Sequence, residues 1–302
     1  MREVVASRHP MLDLSSRHLV DAGGKRVRPM LALLAAHLGD PDEPRVVDAA
    51  VVVELTHLAT LYHDDVMDEA ALRRGAASAN TRWTNTVAIL TGDYLFARAS
   101  DLTASLGTEA THIQSRTFAR LVEGQIAETA GPADGQDAVE HHLQVISDKT
   151  ASLISTSARL GAMLSGAPAA DVETVARFGE IYGVAFQLSD DLIDIASDAT
   201  ALGKTPGTDL REGIRTLPVL LVLAQDDPGS ARLRELLESD LNDDERLAEA
   251  LGLLREHPAM LAARARLASY LDEAREVAGT LPAGPTRDAL LALTDFILER
   301  TG

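Results

Sequence analysis

Two stretches of the 302-residue chain carry three aspartates at one spacing: His63-Asp64-Asp65-Val66-Met67-Asp68 and Ser189-Asp190-Asp191-Leu192-Ile193-Asp194. Each closes a long apolar run of helical period. In a helix the first and last aspartates of such a motif lie on one face, about 6 Å apart along the axis. With no cation one turn on, like charges so placed repel. A hard divalent cation relieves the repulsion, and Mg²⁺ fits because it takes carboxylate oxygens while keeping sites for water and substrate phosphate. Two such motifs on facing helices could clamp one diphosphate. The plainer alternative is a pair of acidic helix ends in an acidic protein, but duplication of the motif on two apolar helices argues against it.

Phosphate needs local cations, and they stand close to both motifs in the sequence. Gly23-Gly24-Lys25-Arg26-Val27-Arg28-Pro29 opens a helix, with Lys25 and Arg28 one turn apart beside a positive helix start. Arg73-Arg74-Gly75 follows the first motif, Lys149-Thr150 lies mid-chain, and Gly203-Lys204 follows the second motif. Of the 28 basic residues only Lys25, Lys149 and Lys204 are lysines. In a chain so biased to arginine the three lysines are candidates for positions that want a compact ammonium, the plainer alternative being chance on the surface.

The elements that must position these groups read as helices. Apolar residues recur at helical spacing over residues 30–38, 46–67, 86–106, 109–129, 138–164 and 171–195, with further segments to Arg300. Gly and Pro punctuate the gaps, as in Gly39-Asp40-Pro41 and Gly166-Ala167-Pro168. No alternating strand pattern stands out. The segments 46–67 and 171–195 are apolar nearly all round, as suits helices buried in a bundle. No Ser- or Pro-rich linker divides the chain. The expected fold is all-α, a single domain over residues 1–302 with ten or more helices around a central cavity.

Composition narrows the function. Hydrophobic residues make up 46% of the chain and aromatics only 3%, which supplies a core and favours Ala- and Leu-rich helices over sheets. The absence of cysteine rules out disulfides, thiolate metal sites and a cysteine nucleophile. A net charge of −18 argues against nucleic acid. No run of about 18 apolar residues predicts an integral membrane segment, and Met1-Arg2-Glu3-Val4 is unlike a signal peptide. A cytoplasmic protein is expected.

Taken in order, Gly-Gly-Lys-Arg…Arg-Pro, His-Asp-Asp-x-x-Asp…Arg-Arg-Gly, Lys-Thr, Phe-Gln-x-x-Asp-Asp-x-x-Asp, Gly-Lys and Thr-Leu-Pro span Gly23 to Pro218. This set resembles the trans-polyprenyl diphosphate synthases, with the look of a bacterial long-chain member. The resemblance implies an isoprenoid synthase type I fold and a homodimer that condenses isopentenyl diphosphate onto an allylic diphosphate. It implies Asp64, Asp68 and Asp190 as ligands for three Mg²⁺ ions, with Asp65, Asp191 and Asp194 beside them. It places Arg73, Lys149 and Lys204 on the allylic diphosphate, and Lys25, Arg28, His57 and Arg74 on isopentenyl diphosphate. Thr150, Phe186 and Gln187 would line the reacting ends. His57 could instead be a hydrogen-bonded core histidine, but it stands two turns before Asp64 on the same face. His63 is read as structural.

Departures from the family pattern matter. Ile214 stands where many relatives carry lysine, although Arg215 follows it. The segment before Gly23 is short, leaving room for a trimmed N-terminal helix or none. Glu299-Arg300-Thr301-Gly302 lacks the basic tail of some short-chain members. Small residues, Ala59 and Thr60, occupy the turn before the first motif, where short-chain members often place aromatics. An open floor there predicts a long product such as a quinone side chain, with Phe118, near Leu121, as a deeper stop or as ordinary core. The competing readings are a geranylgeranyl-length synthase, a class I terpene cyclase and a non-catalytic partner subunit. The second aspartate-rich motif speaks against the cyclase, and the completeness of both motifs speaks against the subunit.

Overall fold

The computed structural model describes residues 1–196, 206–225 and 227–301, and these are helical almost throughout. In chain order come α1 (Pro10–Asp21), α2 (Val27–Ala35) with a short 3-10 turn after it, and α3 (Pro44–Met67). They are followed by α4 (Ala79–Arg82), α5 (Asn85–Leu106), α6 (Thr108–Ala130), α7 (Ala138–Ile146), α8 (Ser152–Leu164) and α9 (Ala169–Ala196). Further helices cover Thr208–Arg211, Leu217–Leu223, Ala231–Leu237, Asp244–Glu256, Pro258–Gly279 and Pro285–Thr301. The all-α expectation holds. The one sheet among the described residues is a ribbon of β1 (Leu72–Arg73) and β2 (Ala76–Ala77), paired antiparallel.

Contacts group the chain into two compact units. One comprises Met1–Arg120 with Leu153–Gly179, the other Leu121–Ser152 with the described residues from Glu180 onward. In the first, α3 starts where Pro44 takes the first helical position, a place that needs no N–H partner, and where the Glu43 carboxylate accepts from the Arg45 N–H. Its residues Leu55, Leu58, Ala59 and Tyr62 join Leu95 and Ala99 of α5 in one buried cluster. α3 is the one helix among the described residues long and apolar enough to cross a membrane, and much of it is buried inside the protein.

A helix is present before Gly23, in the region where the sequence left its existence open. The twelve-residue α1 is fixed by polar contacts as well as by Leu19. Tyr62 on α3 donates its hydroxyl to the Ser15 carbonyl and accepts from the Leu19 N–H. Ser15 Oγ lies 2.7 Å from Thr91 Oγ1 on α5. Its polar side chains hide α1 from a purely apolar pattern.

The single helix expected over 138–164 is interrupted. Between α7 and α8 the residues Ser147–Ala151 form one π turn, the segment that carries Lys149 and Thr150. π turns of this kind cost regular hydrogen bonding and concentrate at functional sites. α7 itself is started by Asp137, whose carboxylate accepts from the Val139 and Glu140 N–H groups.

Candidate active site

The first aspartate motif sits at the end of α3. Asp65 is buried, Asp64 partly buried and Asp68 exposed. Asp68 caps the helix, its N–H bonding the Asp64 carbonyl at 2.8 Å, so the spacing of one turn is kept just past the last helical residue. The chain then turns through Glu69, at φ 50°, and the Ala70 N–H returns to the Asp65 carbonyl. That is the Schellman closure, here without glycine.

The ribbon after it sends the two arginines apart. Arg74 and Gly75 both have positive φ (54° and 77°), the signature of a two-residue hairpin turn whose twist suits the strands. Arg73 Nε bonds Asp65 Oδ1 at 2.6 Å. Burial pushes the Asp65 carboxyl up and Arg73 pulls it down, while Asp65 Oδ2 is buried without a hydrogen-bond partner among the described residues. Arg74 turns the other way and donates to the carbonyls of Leu19 (3.1 Å) and Gly23. A Cβ on Gly24 would meet the Arg74 guanidinium carbon at 2.8 Å, so the bare backbone there is what lets the arginine pass.

Glu54, one turn before His57 on α3, is the anchor of a cationic cluster. It is 1% exposed. Arg26, at the start of α2, donates to it, and Arg74 lies 3.5 Å away. Arg28 joins them, its Nε buried with no hydrogen-bond partner among the described residues. Burial first, then Arg74, lowers the Arg28 pKa to about 10, against the pull of Glu54. Lys25 is exposed in the loop before α2. An arginine at a helix start whose buried Nε lacks a hydrogen-bond partner has the chemistry to receive an anion. His57 faces the same group, and burial followed by Arg28, Arg74, Arg73 and Arg26 holds its pKa well below the usual range.

His57 is therefore neutral in the folded protein at neutral pH. As pH falls below about 6.5 the unfolded chain takes up the proton that the native state resists. The expected result is a loss of stability between pH 7 and pH 5 approaching 1.4 kcal/mol per pH unit at the steepest. That component vanishes in His57→Gln. Urea unfolding of both proteins across this range checks it, and identical slopes would refute it.

His63 Nε2 lies 3.2 Å from the Ile89 carbonyl and 3.3 Å from an Asp93 oxygen on α5. Ala59 is buried and Thr60 partly so, its hydroxyl bonding the His57 carbonyl. Phe118 on α6 stacks on Phe96 of α5, centroids 4.0 Å apart.

In the second unit the π turn presents Lys149 to Glu128 of α6. A Cβ on Gly124 would lie 2.7 Å from the Lys149 backbone nitrogen, so only glycine admits this approach. Thr150 Oγ1 donates to Gln187 Oε1 at 3.3 Å, and Gln187 Nε2 donates to Asp191 Oδ1 at 3.0 Å. His142 Nε2 stands 3.4 Å from Asp191 Oδ2, within ion-pair range but without hydrogen-bond alignment. Asp194 accepts from the Thr208 and Asp209 N–H groups at 3.2 and 3.1 Å, capping the short helix there. Asp190 is met by Arg300 at 2.9 Å. Ile214 is exposed just after the turn at Glu212 and Gly213, with Arg215 beside it, and Lys204 lies outside the described residues.

The first unit thus gathers Asp64, Asp65, Asp68, Arg73, Arg74, Arg28 and His57, and the second gathers Lys149, Thr150, Gln187, Asp190 and Asp191. Sequence reading passed over Glu54, Glu128, His142 and Arg300. Glu54 was the discoverable one, a lone charge inside the apolar run from Ala49 to Leu61.

Among the described residues no three acidic or histidine side chains form a closed metal cage. The donor set still fits magnesium: hard carboxylates one turn apart, and an unpartnered oxygen on Asp65 and on Asp191. Mg²⁺ characteristically takes one or two carboxylates and completes its shell with water and substrate phosphate.

Comparison with known proteins gives one consistent answer. The sequence model of the family Polyprenyl synthetase matches residues 9–254. The chain is 51% identical over 286 residues to a nonaprenyl diphosphate synthase of Mycobacterium tuberculosis, covering 94% of this chain and 85% of that protein. It is 47% identical to a dimethylallyltranstransferase of the same organism, covering 93% of this chain and 86% of that one. The crystal structure of a geranylgeranyl pyrophosphate synthase from Corynebacterium glutamicum, complexed with calcium and isoprenyl diphosphate, superposes with TM-score 0.88 at 45% identity. That match covers 99% of this chain and 92% of the other. With both aspartate motifs, the cationic cluster and the helical fold in place, the chain belongs to the polyprenyl synthetase family.

Proposed function

We propose that the protein elongates an allylic diphosphate with isopentenyl diphosphate to a long all-trans product for a quinone side chain. The carrying observation is the pair of aspartate motifs, each ending a buried helix and each accompanied by arginine or lysine. Asp64 and Asp68 in the first unit and Asp190 in the second are the carboxylates that would hold magnesium, three ions being expected with diphosphate bound. Bound magnesium supplies positive charge that stabilises the departing diphosphate. Arg73 steadies Asp65 beside the first motif, and Lys149 and Lys204 serve the allylic diphosphate. Arg28, Arg74, Lys25 and neutral His57 receive isopentenyl diphosphate, while Thr150, Phe186 and Gln187 border the reacting ends. The allylic carbon–oxygen bond breaks, the isopentenyl double bond supplies the electrons of the new carbon–carbon bond, and the departed diphosphate takes the proton. No protein nucleophile takes part. The calcium and isoprenyl diphosphate of the Corynebacterium structure support a divalent ion in this role.

Both units serve one polyprenyl synthase domain, a reading supported by a family match that runs through each of them. The family resemblance supports reading the chain as a homodimer, and a cytoplasmic location is part of the same proposal.

Long product length is supported by the nonaprenyl relative and by the small side chains of Ala59 and Thr60 in the turn before the first motif. Phe96 packs against the buried cluster that contains Ala59, and Phe118 stacks on it, which supports reading this pair as the deeper floor. Ala59→Phe is expected to shorten the main product by several isoprene units and Phe118→Ala to lengthen it, read by sizing the dephosphorylated products. An unchanged product from Ala59→Phe would remove Ala59 from the tail's path. The geranylgeranyl-length reading, favoured by the Corynebacterium neighbour, predicts that the wild-type product already stops at that length.

A further inference from the structure

Arg300, near the end of the helix Pro285–Thr301, converges on three residues of one turn of α9. Its Nε donates to Ser189 Oγ at 2.8 Å, its Nη2 donates to the Phe186 carbonyl at 3.2 Å, and Nη2 also lies 2.9 Å from Asp190 Oδ1. The guanidinium stands over the Phe186 ring at 4.9 Å. Its side chain is 14% exposed, so these bonds act where water screens them little. A planar fork engaging a carbonyl, a hydroxyl, a carboxylate and an aromatic face at once fixes the orientation of each, which a lysine could not do.

We infer that Arg300 is a positioning residue for the second aspartate motif. It holds the Asp190 carboxylate in the rotamer that receives the metal, and holds Phe186 at the same time. Arg300 is thus turned onto a protein carboxylate. Partners that orient metal-ligating side chains typically contribute 10- to 100-fold in metal affinity or activity.

This inference rests on Asp190 being a metal ligand, and the test separates the two. Mg²⁺ is titrated calorimetrically into the full chain in the presence of inorganic diphosphate, for wild type, Arg300→Gln, Arg300→Lys and Asp190→Asn, with the melting temperature of each recorded. The expected result is a loss of Mg²⁺ affinity of about 10-fold or more in Arg300→Gln. Arg300→Lys, which keeps the charge without the fork, falls between that variant and wild type. Unchanged affinity in Arg300→Gln beside a clear loss in Asp190→Asn overturns the positioning role alone. Tighter Mg²⁺ binding in Arg300→Gln also overturns it, because the arginine would then be a competitor for the carboxylate. Unchanged affinity in Asp190→Asn overturns the ligand assignment on which the role rests. A lowered melting temperature with unaltered Mg²⁺ affinity in both Arg300 variants marks the contact as packing only and overturns the inference.

Discussion

Asp68→Asn is expected to lower the turnover number by about 10³-fold while leaving the protein slightly more stable. The two effects have separate causes. Metal-borne stabilisation of a leaving diphosphate is worth several kcal/mol, and about 4 kcal/mol corresponds to a factor of 10³. Stability moves the other way, because Asp68 is exposed, caps the negative end of α3 and stands one turn from Asp64. A carboxylate so placed opposes the helix dipole and repels its neighbour, so neutralising it should gain about 0.3–1 kcal/mol without metal. Steady-state kinetics at saturating Mg²⁺ and urea unfolding in chelator check the two halves. Full activity in Asp68→Asn would remove the residue from the metal site. Reduced activity with reduced stability would point to a structural role.

Glu54→Ala should be the most destabilising single change in the cationic cluster. Glu54 is fully buried and is the carboxylate that faces Arg26 and Arg74 and offsets the buried charge of Arg28. Removing one partner of a buried ion pair leaves uncompensated charge and costs about 3–5 kcal/mol. At roughly 2–4 °C per kcal/mol for a chain of this size class, the melting temperature should fall by about 6–20 °C. Glu54→Gln keeps the volume and one acceptor and should lose less. The Michaelis constant for isopentenyl diphosphate should rise in both variants, since the arginines lose the group that orients them. A melting temperature within about 2 °C of wild type in Glu54→Ala would show that the arginines are solvated rather than held.

Much of this was legible from local pattern. Gly and Pro marked the ends of α3, α5 and α8, and apolar residues every three or four positions marked their buried faces. Both aspartate motifs could be read because the residues of each lie within six positions. What escaped depends on backbone detail or on distant pairing. The π turn that presents Lys149 leaves the apolar period of 138–164 almost unbroken, so a single helix was the natural reading. The ribbon Leu72–Ala77 has only two residues in each strand, too short for alternation to register, and its positive-φ Arg74 is not a residue that announces a turn. Arg300 and Asp190 lie 110 positions apart, and nothing local in either predicts the other. Glu128 meets Lys149 through the close backbone approach that Gly124 admits, a pairing 21 positions apart that no local pattern encodes.

The most direct test of the central claim is incubation of the purified protein with labelled isopentenyl diphosphate, Mg²⁺ and, in turn, dimethylallyl, geranyl, farnesyl and geranylgeranyl diphosphates. Products are dephosphorylated and sized, with Asp64→Ala run in parallel. The account predicts long all-trans chains from at least one primer, absent in Asp64→Ala and absent without Mg²⁺. Failure of the wild-type protein to elongate any primer, in a preparation that still binds Mg²⁺ and diphosphate, would contradict it and leave a non-catalytic partner subunit as the reading of the chain.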